Sequence, residues 1–204
     1  STRLPRAIRD VYKRQGCIIM WIKFLMEYFK SPRTVGAVAP SSKKLAEKMA
    51  HDIDFDHAKC IVEYGPGTGV FTDRLMKKIK DHTMLMLVEY NEEFCRELEE
   101  KYGEYNNVVI VNDSAENVDK YLKEYNIKEV DYVVSGLPFA SLPKNMSNSI
   151  LKKTKDILKK NGLFITFQYT LLKKGYIGSY FEDISLERVV LNIPPAYVLK
   201  CQNT

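Results

Sequence analysis

The fold is decided by one stretch of this sequence, Ile61-Val62-Glu63-Tyr64-Gly65-Pro66-Gly67-Thr68-Gly69-Val70-Phe71-Thr72. An apolar run from Cys60 to Tyr64 predicts a strand, and a helix is predicted to begin near Val70. The glycines between them permit backbone conformations that a Cβ would forbid, so a ligand can lie against the main chain. The free amides of the following helix point at that ligand. This order of elements predicts a site for a nucleotide-like cofactor in an α/β sheet.

The glycine pattern also restricts the kind of cofactor. A dinucleotide-binding fingerprint has glycine at its sixth position, where this chain has Val70. A phosphate-binding P-loop ends in Gly-Lys-Ser/Thr, whereas Gly69 is followed by Val70 and Phe71. Glu63 precedes the turn, where a carboxylate would repel a pyrophosphate but suit a cationic ligand. The remaining pattern is E-x-G-x-G-x-G.

Two further apolar strands are predicted, and each ends in an acidic residue. Met84–Glu89 follows the glycines by about 20 residues, which is the position from which a carboxylate binds ribose hydroxyls. Val108–Asp113 is the third strand of the series.

These three segments in this order resemble the class I S-adenosylmethionine-dependent methyltransferases, over roughly residues 58 to 202. The resemblance implies S-adenosylmethionine as cofactor and S-adenosylhomocysteine as product. It implies that Gly65, Gly67 and Gly69 pass under the methionine and ribose part of the cofactor. Glu89 would bind the ribose hydroxyls and Asp113 the adenine amino group, with Ser114 and Ala115 beside the ring. Further cofactor contacts are expected from Ser42, Glu63, Tyr64, Thr68, Tyr90, Ser135 and Gly136.

The rest of the chain alternates strands and helices, which predicts a doubly wound, mostly parallel sheet. The resemblance implies seven strands, N-terminal helices and an antiparallel C-terminal strand. Helices are predicted over Phe71–Lys80, Glu92–Tyr102, Glu116–Tyr125 and Lys144–Lys160, the last one capped by Asn161-Gly162. Strands are predicted over Val130–Ser135, Leu163–Tyr169, Leu186–Asn192 and Ala196–Cys201, the last two around a turn at Ile193-Pro194-Pro195.

Composition restricts the class of protein. The chain has 204 residues, of which 45% are hydrophobic and 28% charged, as in an ordinary globular protein. Its cysteines are scattered, which favours reduced thiols in the cytoplasm over a disulfide scaffold, and neither they nor the histidines show metal-ligand spacing. We therefore predict no metal. The cysteines are Cys17, Cys60, Cys95 and Cys201, and the histidines are His51, His57 and His82.

The positive charge of the chain is concentrated at its start. The formal net charge is +5, and residues 1–16 contain five basic residues and one acid, so the other 188 residues sum to about +1. This balance argues against nucleic acid as a partner. Residues 1–16 are interpreted as a leader foreign to the fold, or alternatively as a basic arm, and Met20 is a plausible natural start.

The segment 17–30 is almost entirely apolar and aromatic. Its charged residues, Lys23, Glu27 and Lys30, form one narrow stripe on a helix. Such a helix either packs on the domain or lies in a membrane surface. The predicted division of the chain is a leader at 1–16, N-terminal helices and a lid loop at 17–57, and a catalytic domain at 58–204.

The segment 31–51 carries a narrower resemblance. The motif S-P-R-x-V-G-A-x-x-P-S-S ends at Ser42 and precedes a helix predicted over Lys43–His51, with Ser41 or Ser42 as N-cap. Together with the apolar helix before it and Leu45, Ala46 and Met49 after it, this region resembles the bacterial phospholipid N-methyltransferases, which are related to the ribosomal RNA adenine dimethylases. The resemblance implies methylation of the head-group amine of phosphatidylethanolamine, by a protein attached peripherally to the inner face of the membrane through 17–30. The implied substrate-binding residues are Tyr28, Arg33, Ser41, Leu137, Pro138 and Phe139.

The end of the fourth strand distinguishes the possible methyl acceptors. Enzymes that methylate an adenine amino group resemble one another in N-x-P-Y or N-L-P-Y here, whereas this chain has Gly136-Leu137-Pro138-Phe139. The missing Asn argues against adenine, and we expect an ammonium group to be held by the ring of Phe139 and backbone carbonyls. Arg33 and Lys43 or Lys44 are candidates to face the lipid phosphate, and the alternative for each is a solvated surface charge. An RNA or small-molecule methyltransferase of the same fold and a non-catalytic cofactor-binding membrane protein remain alternatives. The catalytic base, the number of methyl groups and the oligomeric state stay unassigned.

Overall fold

The structure is a computed structural model that describes residues 40–190 and 196–203. Several predictions therefore lie outside the described residues: the leader, the helix at 17–30, the loop that contains Arg33, the contact of Tyr28, and the proline turn at 193–195. The described residues form one seven-stranded sheet in the order β3-β2-β1-β4-β5-β7-β6. This confirms the predicted fold class.

The first five strands of the sheet are parallel. The chain builds outward from β1 to β2 and β3, and then returns to place β4 and β5 on the other side of β1. The strand order therefore reverses between β1 and β4, and a ligand binds at the carboxyl ends of the strands at such a point. These strands are β1 (Cys60–Tyr64), β2 (Met84–Glu89), β3 (Val108–Asn112), β4 (Val130–Ser135) and β5 (Leu158–Gln168).

The last two strands form the antiparallel end of the sheet. β6 (Asp183–Val189) precedes β7 (Ala196–Gln202) in the chain, but β7 lies between β5 and β6 and runs antiparallel to both. The predicted antiparallel pair is present, although β6 begins three residues earlier than expected.

Helices cover both faces of the sheet. They are α1 (Pro40–Met49), α2 (Thr72–Met76), α3 (Glu92–Tyr102), α4 (Val118–Glu124), α5 (Lys144–Ile157) and α6 (Lys174–Gly178), with 3₁₀ turns at Ala115–Asn117 and Leu171–Lys173. The bounds of α3 are as predicted, whereas α2 is half as long as expected. α1 begins at Pro40, so Ser41 and Ser42 lie inside its first turn, and the predicted N-cap is wrong. Proline suits the first helical position because its missing N–H has no partner there.

The end of α5 also differs from the prediction. The helix stops at Ile157, and Leu158 already pairs with Val130 of β4. Asn161 does adopt the left-handed conformation, with φ of 63°, but within an irregularity of β5 and not as a helix cap. Its N–H donates to the carbonyl of Asn203, so pairing across the sheet outweighs the local tendency of this lysine-rich segment to stay helical.

The core lies in two layers, one on each face of the sheet. Val62 and Tyr64 of β1 point into one layer, which also contains Phe139 and Phe164, and Ile61 points into the other. Leu45 and Met49 of α1 join this second layer. The strands of the centre are buried on both faces, as expected for a parallel sheet covered by helices.

Candidate functional site

The glycine turn lies at the carboxyl end of β1, where the strand order reverses. Gly65, Gly67 and Gly69 have φ values of 61°, 56° and 85°, a region in which an L side chain is strained. A Cβ on Gly65 would also lie 2.8 Å from Cδ2 of Leu137. The turn therefore requires glycine for its conformation, as the sequence pattern indicated.

Glu63 is a buried carboxyl group directly beneath this turn. Its Oε2 accepts a hydrogen bond of 2.9 Å from the hydroxyl of Thr72, and its Oε1 has no partner among the described residues. Burial disfavours the charged form, and the nearby carboxylate of Glu89 adds repulsion, so the pKa of Glu63 is raised to about 8. A buried acid with a free oxygen fits a cationic group nearby, because such a group would favour its ionised form.

Glu89 ends β2 and holds the turn from the other side. Its Oε2 accepts from the N–H of Gly67 at 3.0 Å, and its Oε1 accepts from the N–H of Asn91 at 2.9 Å. Burial nevertheless raises the pKa of this carboxyl. Each oxygen retains a second lone pair, which is what the predicted contact with ribose hydroxyls requires.

Asp113 follows β3 at the same edge of the sheet, because Asn112 pairs with Glu89. Its Oδ1 accepts from Nδ2 of Asn117 at 2.9 Å, and its Oδ2 accepts from the hydroxyl of Tyr121 at 2.8 Å. These hydrogen bonds lower the pKa of the Asp113 carboxyl. The side chain is therefore fixed and ionised, and its contact with an adenine amino group stays a prediction.

Gly136 brings the end of β4 against the glycine turn. Its N–H donates to the carbonyl of Tyr64 at 2.9 Å, and a Cβ on Gly136 would lie 2.8 Å from the carbonyl oxygen of Gly65. Real Cβ atoms essentially never approach backbone oxygen so closely. The absence of Asn at this position thus has a steric basis, since the backbone arrangement of this chain leaves no space for a side chain.

Phe139 does not line the site, which corrects the expected contact with an ammonium group. Its ring is 0% exposed and packs edge to face on Phe164, with centroids 6.0 Å apart. The physical reason is the tight turn at Leu137-Pro138, in which the N–H of Phe139 donates to the carbonyl of Leu137 and the ring points into the core. A cation–π contact requires an accessible ring face, and this ring offers none.

The other predicted residues are distributed around this edge. Leu137 lies against Gly65, and the carbonyl of Pro138 accepts from the N–H of Ser141. The ring of Tyr64 is buried, whereas that of Tyr90 is 81% exposed. Ser114 caps the turn that begins at the buried Ala115, Thr68 accepts from Lys101 through its carbonyl, and the buried Ser135 accepts from the N–H of Leu137. Ser41 and Ser42 lie at the start of α1, and Tyr28 and Arg33 lie outside the described residues.

Sequence reasoning missed Gln168. It ends β5, two residues beyond Thr166, which pairs with Ser135 of β4. Its side chain is 3% exposed, and its Nε2 has no hydrogen-bond partner in the described part of the chain. Such an orphaned donor is rare in a protein interior and suits a ligand group that accepts a hydrogen bond. The rule that identified Glu89, a polar residue that ends an apolar strand, also applies to Gln168.

Residues 40–190 and 196–203 lack two further features. No three His, Cys, Asp or Glu side chains come close enough together to hold a metal ion in that part of the chain. None of its helices is long and apolar enough to cross a bilayer.

Comparison with known proteins places the chain among methyltransferases. The profile of the family "Ribosomal RNA adenine dimethylase" matches residues 41–176, two thirds of the chain. An ornithine lipid N-methyltransferase from Singulisphaera acidiphila is 28% identical over 181 residues, which cover 88% of this chain and 94% of that protein. A ribosomal RNA small subunit methyltransferase A from Hydrogenobaculum is 32% identical over 123 residues, 58% of this chain, and this match spans only 44% of that protein.

Solved structures agree in fold. A 1,6-didemethyltoxoflavin N1-methyltransferase from Burkholderia thailandensis, solved with S-adenosylhomocysteine, aligns over 100% of this chain and 92% of that one, with a TM-score of 0.66 and 11% identity. A 16S rRNA guanine N2-methyltransferase from Thermus thermophilus, solved with S-adenosylmethionine and guanosine, aligns over 83% of this chain and 44% of that one, with a TM-score of 0.63 and 17% identity. At such low identity these two likenesses bear on the fold alone.

Proposed function

The chain belongs to the ribosomal RNA adenine dimethylase family, and from that premise we propose that it methylates the head-group amine of phosphatidylethanolamine at a membrane surface. It is an S-adenosylmethionine-dependent methyltransferase, as its glycine motif and strand-end acids indicated. The identity of the methyl acceptor is the part that we propose.

The residues of the site fit this cofactor. S-adenosylmethionine supplies a methyl group on a positively charged sulfur. We propose that the glycine turn carries its methionine and ribose part, that Glu89 binds the ribose, and that Asp113 binds the adenine. Glu63 supports this assignment, because its free buried oxygen suits a cationic ligand.

The observation that carries the proposed acceptor is the lack of space at Gly136, where a Cβ would lie only 2.8 Å from the carbonyl oxygen of Gly65. The family motif for adenine uses an Asn side chain here as a hydrogen-bond acceptor, and this backbone excludes it. An aliphatic amine does not need a flat polar acceptor of this kind. The match to the lipid-methylating relative also spans nearly the whole of that protein, whereas the match to the RNA-methylating relative spans less than half.

Adenine in RNA is the second candidate acceptor, since the family carries that activity in its name and several relatives are named as ribosomal RNA methyltransferases. We also propose, from the sequence alone, that the segment 17–30 attaches the protein to the inner face of the membrane. Because that segment lies outside the described residues, a lipid-binding test has to address it directly.

The test is methyl transfer from radiolabelled S-adenosylmethionine by the full chain, with three acceptors in parallel. These are liposomes that contain phosphatidylethanolamine, liposomes of phosphatidylcholine alone, and RNA. We expect label in the phosphatidylethanolamine fraction only. Label in RNA alone would overturn the proposal. In a separate reaction with liposomes that contain an ornithine lipid, label in that lipid alone would keep the lipid class but change the head group.

A further inference from the structure

A short turn after β5 exposes two leucines. Leu171 and Leu172 begin the 3₁₀ turn Leu171–Lys173, and their side chains are 40% and 87% exposed. Leu172 is the most exposed large apolar residue of the described chain. Covering such an exposed leucine with a partner is favourable, because it removes apolar surface from water. The turn is therefore a candidate binding surface.

The turn lies at the edge of the sheet that carries the cofactor site. β5 runs parallel to β1 and β4, so Leu171 follows its carboxyl end just as the glycine turn follows the carboxyl end of β1. Whatever covers the two leucines therefore faces the same side of the molecule as the site.

The turn is held in position by hydrogen bonds. The hydroxyl of Thr170 accepts from the N–H of Leu172 at 3.3 Å. Behind the turn, the hydroxyls of Tyr176 and Tyr180 both donate to Oδ1 of Asn148, at 2.5 Å and 2.8 Å, and so fasten α6 to α5. The leucines are thus presented by a fixed platform and not by a loose loop.

Lysines flank the turn. Residues 169–181 contain Lys173 and Lys174 and no acid, and Glu182 and Asp183 follow. Lys173 and Lys174 directly follow the leucines, and Lys144 opens α5 nearby, where its carbonyl accepts from the hydroxyl of Tyr176 at 3.4 Å.

We propose that the Leu171–Lys174 turn docks on an anionic phospholipid bilayer and brings the cofactor site to the membrane surface. Lysines are attracted to a negatively charged surface, and exposed leucines insert at the boundary between head groups and acyl chains. RNA would attract the lysines but would not bind the leucines, because a phosphate backbone offers no apolar environment. The inference rests on the proposed function, since it gives the lipid-directed site a second point of attachment besides the segment 17–30.

The experiment is co-sedimentation of the full chain with vesicles, without cofactor. Vesicles of phosphatidylglycerol and phosphatidylcholine are compared with vesicles of phosphatidylcholine alone, and RNA binding is measured in parallel. Two double variants are used, Leu171→Ser with Leu172→Ser, and Lys173→Gln with Lys174→Gln. Each is expected to lower the partition coefficient onto anionic vesicles by about tenfold or more, since one lysine near such a surface contributes about fivefold.

Matched controls lie at the opposite edge of the sheet. Tyr125, which is 45% exposed between α4 and β4, is changed to Ser, and the exposed Lys77 after α2 is changed to Gln. Both control variants are expected to bind vesicles as the parent chain does. Thermal unfolding of each variant verifies that the fold is intact.

Three outcomes decide the proposal. Weaker vesicle binding by both double variants but not by the controls supports it. Unchanged vesicle binding, or a loss confined to RNA binding, overturns it. Failure of the proposed function can be recognised separately. If the chain docks through this turn but transfers no methyl group to phosphatidylethanolamine, the docking surface is supported and only the proposed acceptor is wrong.

Discussion

At Gly136, directly after β4, the main chain passes so close to the glycine turn that there is no room for a Cβ atom. The obstacle to a side chain is the carbonyl oxygen of Gly65, which belongs to the backbone of the turn and cannot swing aside. The residue therefore fixes the end of β4 against the backbone of the glycine turn.

Replacing Gly136 with Ala is expected to destabilise the fold by about 1–3 kcal/mol, because the turn or the end of β4 has to shift. Affinity for S-adenosylmethionine should fall as well. Urea unfolding and calorimetric titration measure the two effects. Gly175→Ala is the matched control, since a Cβ there meets nothing within 4 Å, and its stability should be unchanged or slightly higher. Equal behaviour of the two variants would contradict the close approach.

Glu63 makes the stability of the protein depend on pH. Its pKa of about 8 in the folded state lies above the ordinary value of 4.5, so the folded protein binds the proton more tightly than the unfolded chain does. The free energy of unfolding should therefore decline as pH rises from 4.5 to 8. Glu63→Gln keeps a neutral group of the same shape and should remove this part of the slope.

Urea unfolding of both proteins between about pH 5 and pH 8 is the measurement. Glu100→Gln, on the exposed side of α3, is the control and should retain the slope of the parent chain. Parallel slopes for Glu63→Gln and the parent chain would show that Glu63 is already ionised in the fold.

Glu89 is expected to be the residue on which cofactor affinity depends most. Glu89→Ala removes a carboxylate acceptor and should weaken binding of S-adenosylmethionine by roughly 10- to 100-fold, as measured by calorimetry. Because Glu89 also holds the N–H groups of Gly67 and Asn91, Glu89→Gln serves as a second variant that retains one acceptor oxygen. Undiminished binding by both variants would remove Glu89 from the proposed site.

At the scale of helices and strands, local pattern predicted the central elements well. The apolar runs of β1, β2 and β4 and the amphipathic repeat of α3, whose N-cap Asn91 accepts from two backbone N–H groups, define their own ends. The ends of α5 and β5 could not be predicted in this way. They depend on the pairing of Leu158 with a distant strand and on the ion pair of Lys159 with Asp131, neither of which is visible in a local window.

The attachment of α6 to α5 offers a test at this scale. Asn148→Ala leaves the hydroxyls of Tyr176 and Tyr180 without their shared acceptor, which is expected to cost about 1–3 kcal/mol of stability. Hydrogen exchange should quicken most in α6. Asn145→Ala, on an exposed position of the same helix, is the control and should leave exchange in α6 unchanged. Equal exchange in the two variants would mean that the apolar contacts of Ile177 suffice to hold α6.

At the scale of the molecule, the sequence could predict that three acidic residues converge at one edge of the sheet, but not how Phe139 and Gln168 are placed. Glu63, Glu89 and the Asp113 segment converge because parallel strands bring their carboxyl ends to one edge, and this follows from order and spacing alone. Phe139 was placed wrongly because its direction depends on the turn at Pro138. Gln168 was missed because its significance lies in a lack of partners, which only packing reveals.

The position of β7 between β5 and β6 has a consequence for synthesis of the protein. β6 leaves the ribosome before the strand to which it must pair, so it waits unpaired while β5 keeps an open edge. In a chain that ends before Ala196, β6 would stay unpaired and β5 would keep its open edge. Open strand edges invite aggregation, so such fragments should be insoluble and quickly degraded even though every cofactor contact proposed above precedes the interruption.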